Sequence, residues 1–195
     1  SLPLPVWRIT LLLFFCLMST TLSAQPTKGA HYSLRWQDVG QHTYRVTLNV
    51  KPTLAKAPAT KGKAAPAAAT GATTAFLMPE WRPGRYIDQD FAAGIIRLKA
   101  YDDDRNALQV RKTARSRWEV QNPAKGNITL EYGVYANTQD AGSSYVDSKM
   151  AYFNGATLFL YPEGRMAEPC TLSLPDLPAD WKAATGLGKG PSRTV

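Results

Sequence analysis

An all-β fold, an antiparallel β-sandwich or saddle-like domain with one long disordered loop, is predicted for this chain by three observations. Short runs alternate large apolar with polar residues, the period of strands that bury one face. Clusters of Asn, Asp, Pro and Gly separate those runs and supply turn chemistry. Beyond an N-terminal targeting segment about 170 residues remain, enough for one domain with its own core.

In chain order, Arg8 precedes an apolar run from Ile9 to Met18, and the small residues Ser19 to Ala24 follow. That order reads as a secretory signal peptide over residues 1–24, so the mature protein is expected to be exported, periplasmic or extracellular. The run is about half of the roughly 20 residues a membrane span needs, so no stable membrane anchor is expected. Cys16 lies inside it, without the small residues that precede a lipidated cysteine. Cleavage leaves Cys170 as the one cysteine, which excludes an internal disulfide; in the strand pattern Pro169-Cys-Thr-Leu-Ser-Leu174 it reads as a small buried thiol.

After a flexible N-terminus (residues 25–30), Tyr32-Ser-Leu-Arg-Trp36 and Tyr44-Arg-Val-Thr-Leu-Asn-Val50 read as a hairpin joined through Val39-Gly-Gln-His42. His31 and His42 stand near its ends with no acidic or thiol ligand pattern beside them, so they read as exposed strand-end residues. Residues 55–72 contain only Ala, Lys, Pro, Thr and Gly, which cannot drive packing, and are expected to form a low-complexity, disordered and dispensable loop. Thr74-Ala-Phe-Leu-Met78 resumes as a strand.

It feeds the stretch Met78-Pro-Glu-Trp-Arg-Pro-Gly-Arg-Tyr-Ile-Asp-Gln-Asp-Phe91. Pro83 fixes φ and Gly84 can take the positive φ of a type II turn, so residues 81–85 read as a rigid turn. Trp81 and Tyr86 either plug the core or face a ligand. Arg82 and Arg85 place two guanidinium groups on that turn, an arrangement suited to carboxylates. A short helical turn is expected within residues 87–93.

Ile95-Ile-Arg-Leu-Lys-Ala-Tyr101 and Leu108-Gln-Val110 flank Asp102-Asp-Asp-Arg-Asn106, which reads as a hairpin turn because it lacks the spaced acids and final Glu of a calcium loop. Arg117-Trp-Glu-Val-Gln121 and the run from Asn127 to Tyr135 read as a further hairpin, with Ile128, Leu130, Tyr132 and Val134 on one face. Tyr152-Phe153, Leu158-Phe-Leu-Tyr161 and Thr171-Leu-Ser-Leu174 supply the last strands. No internal repeat is present.

The formal charge of +8 raises nucleic acid as a partner. The cations are dispersed, however, and the dense stretch from Arg111 to Arg117 carries no nucleic-acid motif, so a solvated basic face is the reading. There is no P-loop, no Gly-rich dinucleotide turn and no Gly-x-Ser-x-Gly elbow. Nor does the chain hold two histidines on one helical face with a glutamate, the zinc-peptidase constellation.

Taken together, residues 78–91 resemble the Pro-x-Trp-x-Pro-Gly-x-Tyr segment in the N-terminal domain of the glycyl aminopeptidase family. Those enzymes are zinc metallopeptidases that join an N-terminal β domain to a thermolysin-like catalytic domain and a PDZ domain. Phe91-Ala92, Trp118-Glu-Val120, Glu131-Tyr-Gly-Val-Tyr-Ala136, Ala141-Gly-Ser-Ser-Tyr-Val-Asp147, Leu158-Phe-Leu-Tyr161, Pro169-Cys170 and Ala184-Thr-Gly-Leu187 extend the likeness in the same order. The resemblance lapses over residues 55–72.

It implies that residues 31–187 are a non-catalytic β domain that scaffolds its own catalytic domain and lines the peptide cleft. Residues 188–195 would begin the linker, and zinc would be held by an H-E-x-x-H domain lying beyond this chain. The Ser1 start and the Gly/Pro/Ser-rich end agree with a piece of a longer protein. By the same resemblance, Ser144, Tyr145 and Asp147 would help to hold the amino end of a peptide substrate, unless Ser144 and Asp147 only bond their own turn. Arg82, Arg85 and Tyr86 complete the expected substrate contacts. The alternative is a free-standing secreted β-sandwich binding module, with Trp81, Tyr86 and Tyr145 stacked on a glycan.

Overall fold

The computed structural model describes residues 29–51, 73–122 and 126–186. Alternation becomes strand at β1 (Ala30–Asp38), β2 (Thr43–Val50), β3 (Thr73–Leu77), β4 (Ile95–Tyr101), β5 (Ala107–Leu108), β6 (Val110–Ala114) and β7 (Arg117–Gln121). β8 (Ile128–Tyr135), β9 (Tyr145–Val146), β10 (Ala151–Tyr152), β11 (Tyr161–Pro162) and β12 (Cys170–Ser173) follow, with one helical turn, α1 (Gly155–Leu158), ahead of β11. Two 3-10 turns, Val39–Gln41 and Phe91–Gly94, complete the elements; the second replaces the short helix expected slightly earlier.

The strands form a six-stranded sheet in the order β12-β1-β2-β8-β4-β5, a four-stranded sheet in the order β11-β3-β7-β6, and the β9-β10 hairpin. Every pairing is antiparallel except that of β1 with the edge strand β12. The fold is all-β, as predicted.

Period two fixes which side chains go inward. Tyr44, Val46, Leu48 and Val50 of β2 are buried, and so are Ile128, Leu130, Tyr132 and Val134 of β8, which lie opposite them in register from Tyr44↔Val134 to Val50↔Ile128. Phe76 and Trp118, paired across β3 and β7, join them with Val120 in one core between the two large sheets. The Asp102–Asn106 turn behaves as expected. The Asp102 carboxylate accepts from the backbone N–H groups of Asp104 and Asn106 at 3.0 and 2.8 Å.

Four expectations are corrected. β7 and β8 are not a hairpin: β7 pairs with β3 and β6, whereas β8 runs the length of β2 and also meets β4. Alternation specifies a strand's buried face but not its neighbour, and the connection crosses between sheets. At its start the buried Asn122 donates through Nδ2 to the Gly126 carbonyl at 2.8 Å. Residues 158–160 are not strand, because tyrosines take their backbone groups. Tyr132 Oη donates to the Leu158 carbonyl (3.0 Å) and accepts from the Leu160 N–H (3.0 Å), and Tyr32 Oη donates to the Leu160 carbonyl (2.9 Å). Burial pushes both phenols well above the ordinary tyrosine range, which keeps them as donors.

Cys170 is exposed, not buried, and opens the edge strand β12. His42 is half-buried, not an exposed end. It adopts φ 51°, bonds through Nδ1 to the Val146 carbonyl (2.7 Å), and lies 5.3 Å from the Tyr145 ring.

Residues 1–24, 55–72 and 188–195, assigned above to a signal peptide, a low-complexity loop and a linker, lie outside the described residues. Among those that are described, no helix is long and apolar enough to cross a membrane.

Candidate functional site

Between β3 and β4 the chain leaves the four-stranded sheet for an excursion that its own backbone closes. The Gln89 N–H donates to the Glu80 carbonyl at 2.6 Å, and at the tip the Arg85 N–H donates to the Arg82 carbonyl at 3.3 Å. Gly84 stands at φ +86°, the conformation that a type II turn requires after Pro83. The entry is anchored to the β6–β7 connection. Ser116 Oγ donates to the Glu80 carboxylate at 2.8 Å and Arg115 lies 3.3 Å away, and together they hold that carboxyl below the usual glutamate range.

The two arginines of the turn part company. Arg85 is exposed. The Arg82 side chain, 14% exposed, folds under the turn toward the loop that follows β8 and lies 3.9 Å from Asp140. Gly142 makes room for it: a Cβ there would fall 1.5 Å from Arg82 Cζ. Arg82 therefore latches the first predicted loop onto the second, and its guanidinium does not face solvent.

With Arg82 tucked under, the aromatic side of the turn points outward. Trp81, Tyr86 and Ile87 are 54%, 87% and 58% exposed. Together with Asp88 they line an open pocket of about 270 Å³. Trp81 and Tyr86 thus plug no core.

The second loop is tied together from within. The Asp140 carboxylate accepts from the Gly142 N–H at 2.8 Å, a bond that with the Ser143 contacts keeps its carboxyl below the usual aspartate range. Ser144 is buried, its Oγ 2.6 Å from Thr157 Oγ1, and it also accepts from the Asn154 N–H at 3.3 Å. Asp147 Oδ1 accepts from the N–H groups of Lys149 (2.7 Å) and Met150 (2.8 Å), which hold the carboxyl low, while Oδ2 accepts from Tyr145 Oη at 3.1 Å. Desolvation and that carboxylate raise the Tyr145 phenol.

Beneath the β9–β10 hairpin, Tyr44 Oη lies 2.8 and 3.2 Å from the carbonyls of Tyr145 and Tyr152. Tyr152 Oη donates to the Ala141 carbonyl at 3.0 Å. All six predicted contact residues therefore fall in two neighbouring loops joined by the Arg82 latch. Arg85, Tyr86, Tyr145 and Asp147 keep accessible surface, whereas Ser144 and the Arg82 guanidinium face inward. Sequence reasoning missed Asp88, Gly142, Tyr44 and Tyr152. Of these, only Asp88 carried a signal, its place two residues after Tyr86 in a turn already singled out.

Among the described residues no group of three or more His, Cys, Asp or Glu side chains could hold a metal ion. The arrangement can bind and position a ligand. The family model for the peptidase M61 N-terminal domain matches residues 31–194. The chain belongs to this family. No curated protein matches it. Among solved structures, it is similar to an aminopeptidase N family protein from Idiomarina loihiensis, with 27% identity and a TM-score of 0.60. The match covers 74% of this chain and 22% of the other, so the M61 N-terminal domain described here spans less than a quarter of that relative's length.

Proposed function

We propose that this chain is the non-catalytic N-terminal β domain of an exported zinc metallo-aminopeptidase of the glycyl aminopeptidase type. It scaffolds the catalytic domain and lines one wall of the peptide cleft. The observation that carries this reading is the M61 N-terminal family match over residues 31–194, on a β domain whose described residues offer no metal-ligand group. The aminopeptidase N family relative, of which this chain spans a small part, supports a larger enzyme.

Zinc belongs, in this reading, to an H-E-x-x-H catalytic domain, and none of this chain's described residues is assigned to it. The cleft wall is the pair of loops at residues 80–89 and 137–147. Arg85, Tyr86, Tyr145 and Asp147 offer the peptide contacts, while Arg82 and Ser144 set the loops' positions from below. The test is an aminopeptidase assay with added zinc, on the purified 195-residue chain and on a longer protein carrying the H-E-x-x-H domain. Turnover is expected from the second alone. Turnover that tracks the purified short chain would overturn the assignment.

A further inference from the structure

We infer that the pocket of Trp81, Tyr86, Ile87 and Asp88 is a binding site for an alkylammonium group, and that its occupant is a lysine side chain of a bound peptide. The turn's composition, with Arg82 and Arg85 side by side, pointed to carboxylates. The geometry reverses that sign. Arg82 is seated under the turn at Gly142, and neither arginine lines the pocket. The one charged residue among those lining it is Asp88, whose carboxylate makes no hydrogen bond or ion pair to another described residue.

An unpaired carboxylate beside an indole and a phenol is complementary to an ammonium. The ring faces attract a cation within about 6 Å, and the carboxylate adds a charge-assisted hydrogen bond. The chain already uses such a contact elsewhere, with Lys112 Nζ held 4.9 Å over the Trp118 ring. Ile87 and the indole add an apolar wall, which suits a ligand that carries its charge at the end of a methylene stem. A lysine side chain fills both the wall and the charge site; a bare α-ammonium reaches only the second. Pro83, Gly84 and the Arg82 latch fix the backbone of the turn, so backbone ordering opposes binding little. The ammonium site lies wholly within this chain and stands by itself, while a peptide as the carrier of the lysine rests on the cleft-wall reading above.

The test is calorimetric titration of the 195-residue chain at low ionic strength with Nα-acetyl-lysine methylamide, whose one cation is the ε-ammonium. Saturable binding is expected, weakened by about two- to fivefold in Asp88→Asn and in Trp81→Ala. Both positions are exposed, so circular dichroism should show folded variants. The Nε-acetylated ligand should not bind the unmodified protein, an arm that needs no variant at all. Equal binding of that ligand, unchanged affinity in the folded variants, or no saturable binding would overturn the assignment. Glycinamide binding as tightly as the lysine ligand would overturn lysine as the occupant. Displacement of the lysine ligand by a neutral oligosaccharide would assign the site to glycans instead.

Discussion

Adding one methyl group at Gly142 should uncouple the two loops. The Cβ of Gly142→Ala would fall 1.5 Å from Arg82 Cζ and 1.8 Å from Nη2, far inside van der Waals contact, so the guanidinium must leave its seat. Its approach to Asp140, long at 3.9 Å and partly exposed, contributes at most about 1 kcal/mol. Exposure of the buried arginine stem and an off-rotamer side chain add about as much again. Against this, Gly142 does not lie at positive φ, so alanine there restricts the unfolded chain and returns about 0.4 to 1 kcal/mol. The net expectation is a loss of about 1 kcal/mol in the otherwise unmodified protein. In an Arg82→Ala background the clash is gone and only the entropic gain remains, so the same substitution should be neutral or stabilising. Urea denaturation of the four proteins reads this as a coupling of about 1–2 kcal/mol. An equal cost of Gly142→Ala in both backgrounds would refute the latch.

Two further outcomes follow from the hydrogen bonds. Tyr132→Phe should cost about 2–4 kcal/mol by guanidinium denaturation, because it removes a donor to the Leu158 carbonyl and leaves the Leu160 N–H without its acceptor in the core; an unchanged midpoint would contradict the role given to the phenol. The Asp147 carboxyl is held low by the Lys149 and Met150 N–H groups, so its support of the β9–β10 turn is complete above the unfolded value near about 3.9 and is lost as pH falls through the lower folded value. The protection of the Met150 amide, its exchange rate compared with that of an unstructured amide at the same pH, should therefore fall in acid, and Asp147→Ala should abolish that dependence; an identical protection profile in the variant would sink the explanation.

How much was legible in the sequence varied with what each signal encodes. Period two placed Val46, Leu48, Leu130 and Tyr132 correctly in the core, because the pleat sends every second side chain to the same face. It could not say that β8 pairs with β2 rather than β7, since partners depend on the whole core. The segment from Leu158 to Leu160 looked like strand because its side chains are apolar. Its backbone partners are tyrosine hydroxyls on β1 and β8, remote in sequence and invisible to any local pattern.

At the candidate site, Pro83-Gly84 announced the turn, and the turn is there. The direction of each arginine was not readable. Arg82 and Arg85 have the same chemistry, and only the cavity left by Gly142, far along the chain, turns one of them inward. Ser144, a substrate contact only by resemblance, has its hydroxyl turned to a buried partner, Thr157, that no local pattern announces.

The most direct test of the cleft-wall claim is kcat/KM per folded molecule in a longer protein carrying the catalytic domain, measured for Tyr145→Ala and Asp147→Asn beside a denaturation curve. A lost substrate contact predicts a fall of about tenfold or more in kcat/KM in molecules that remain folded. Normal kcat/KM in both folded variants, with the whole effect appearing as lost stability, would contradict the account and leave these residues as turn bonds alone.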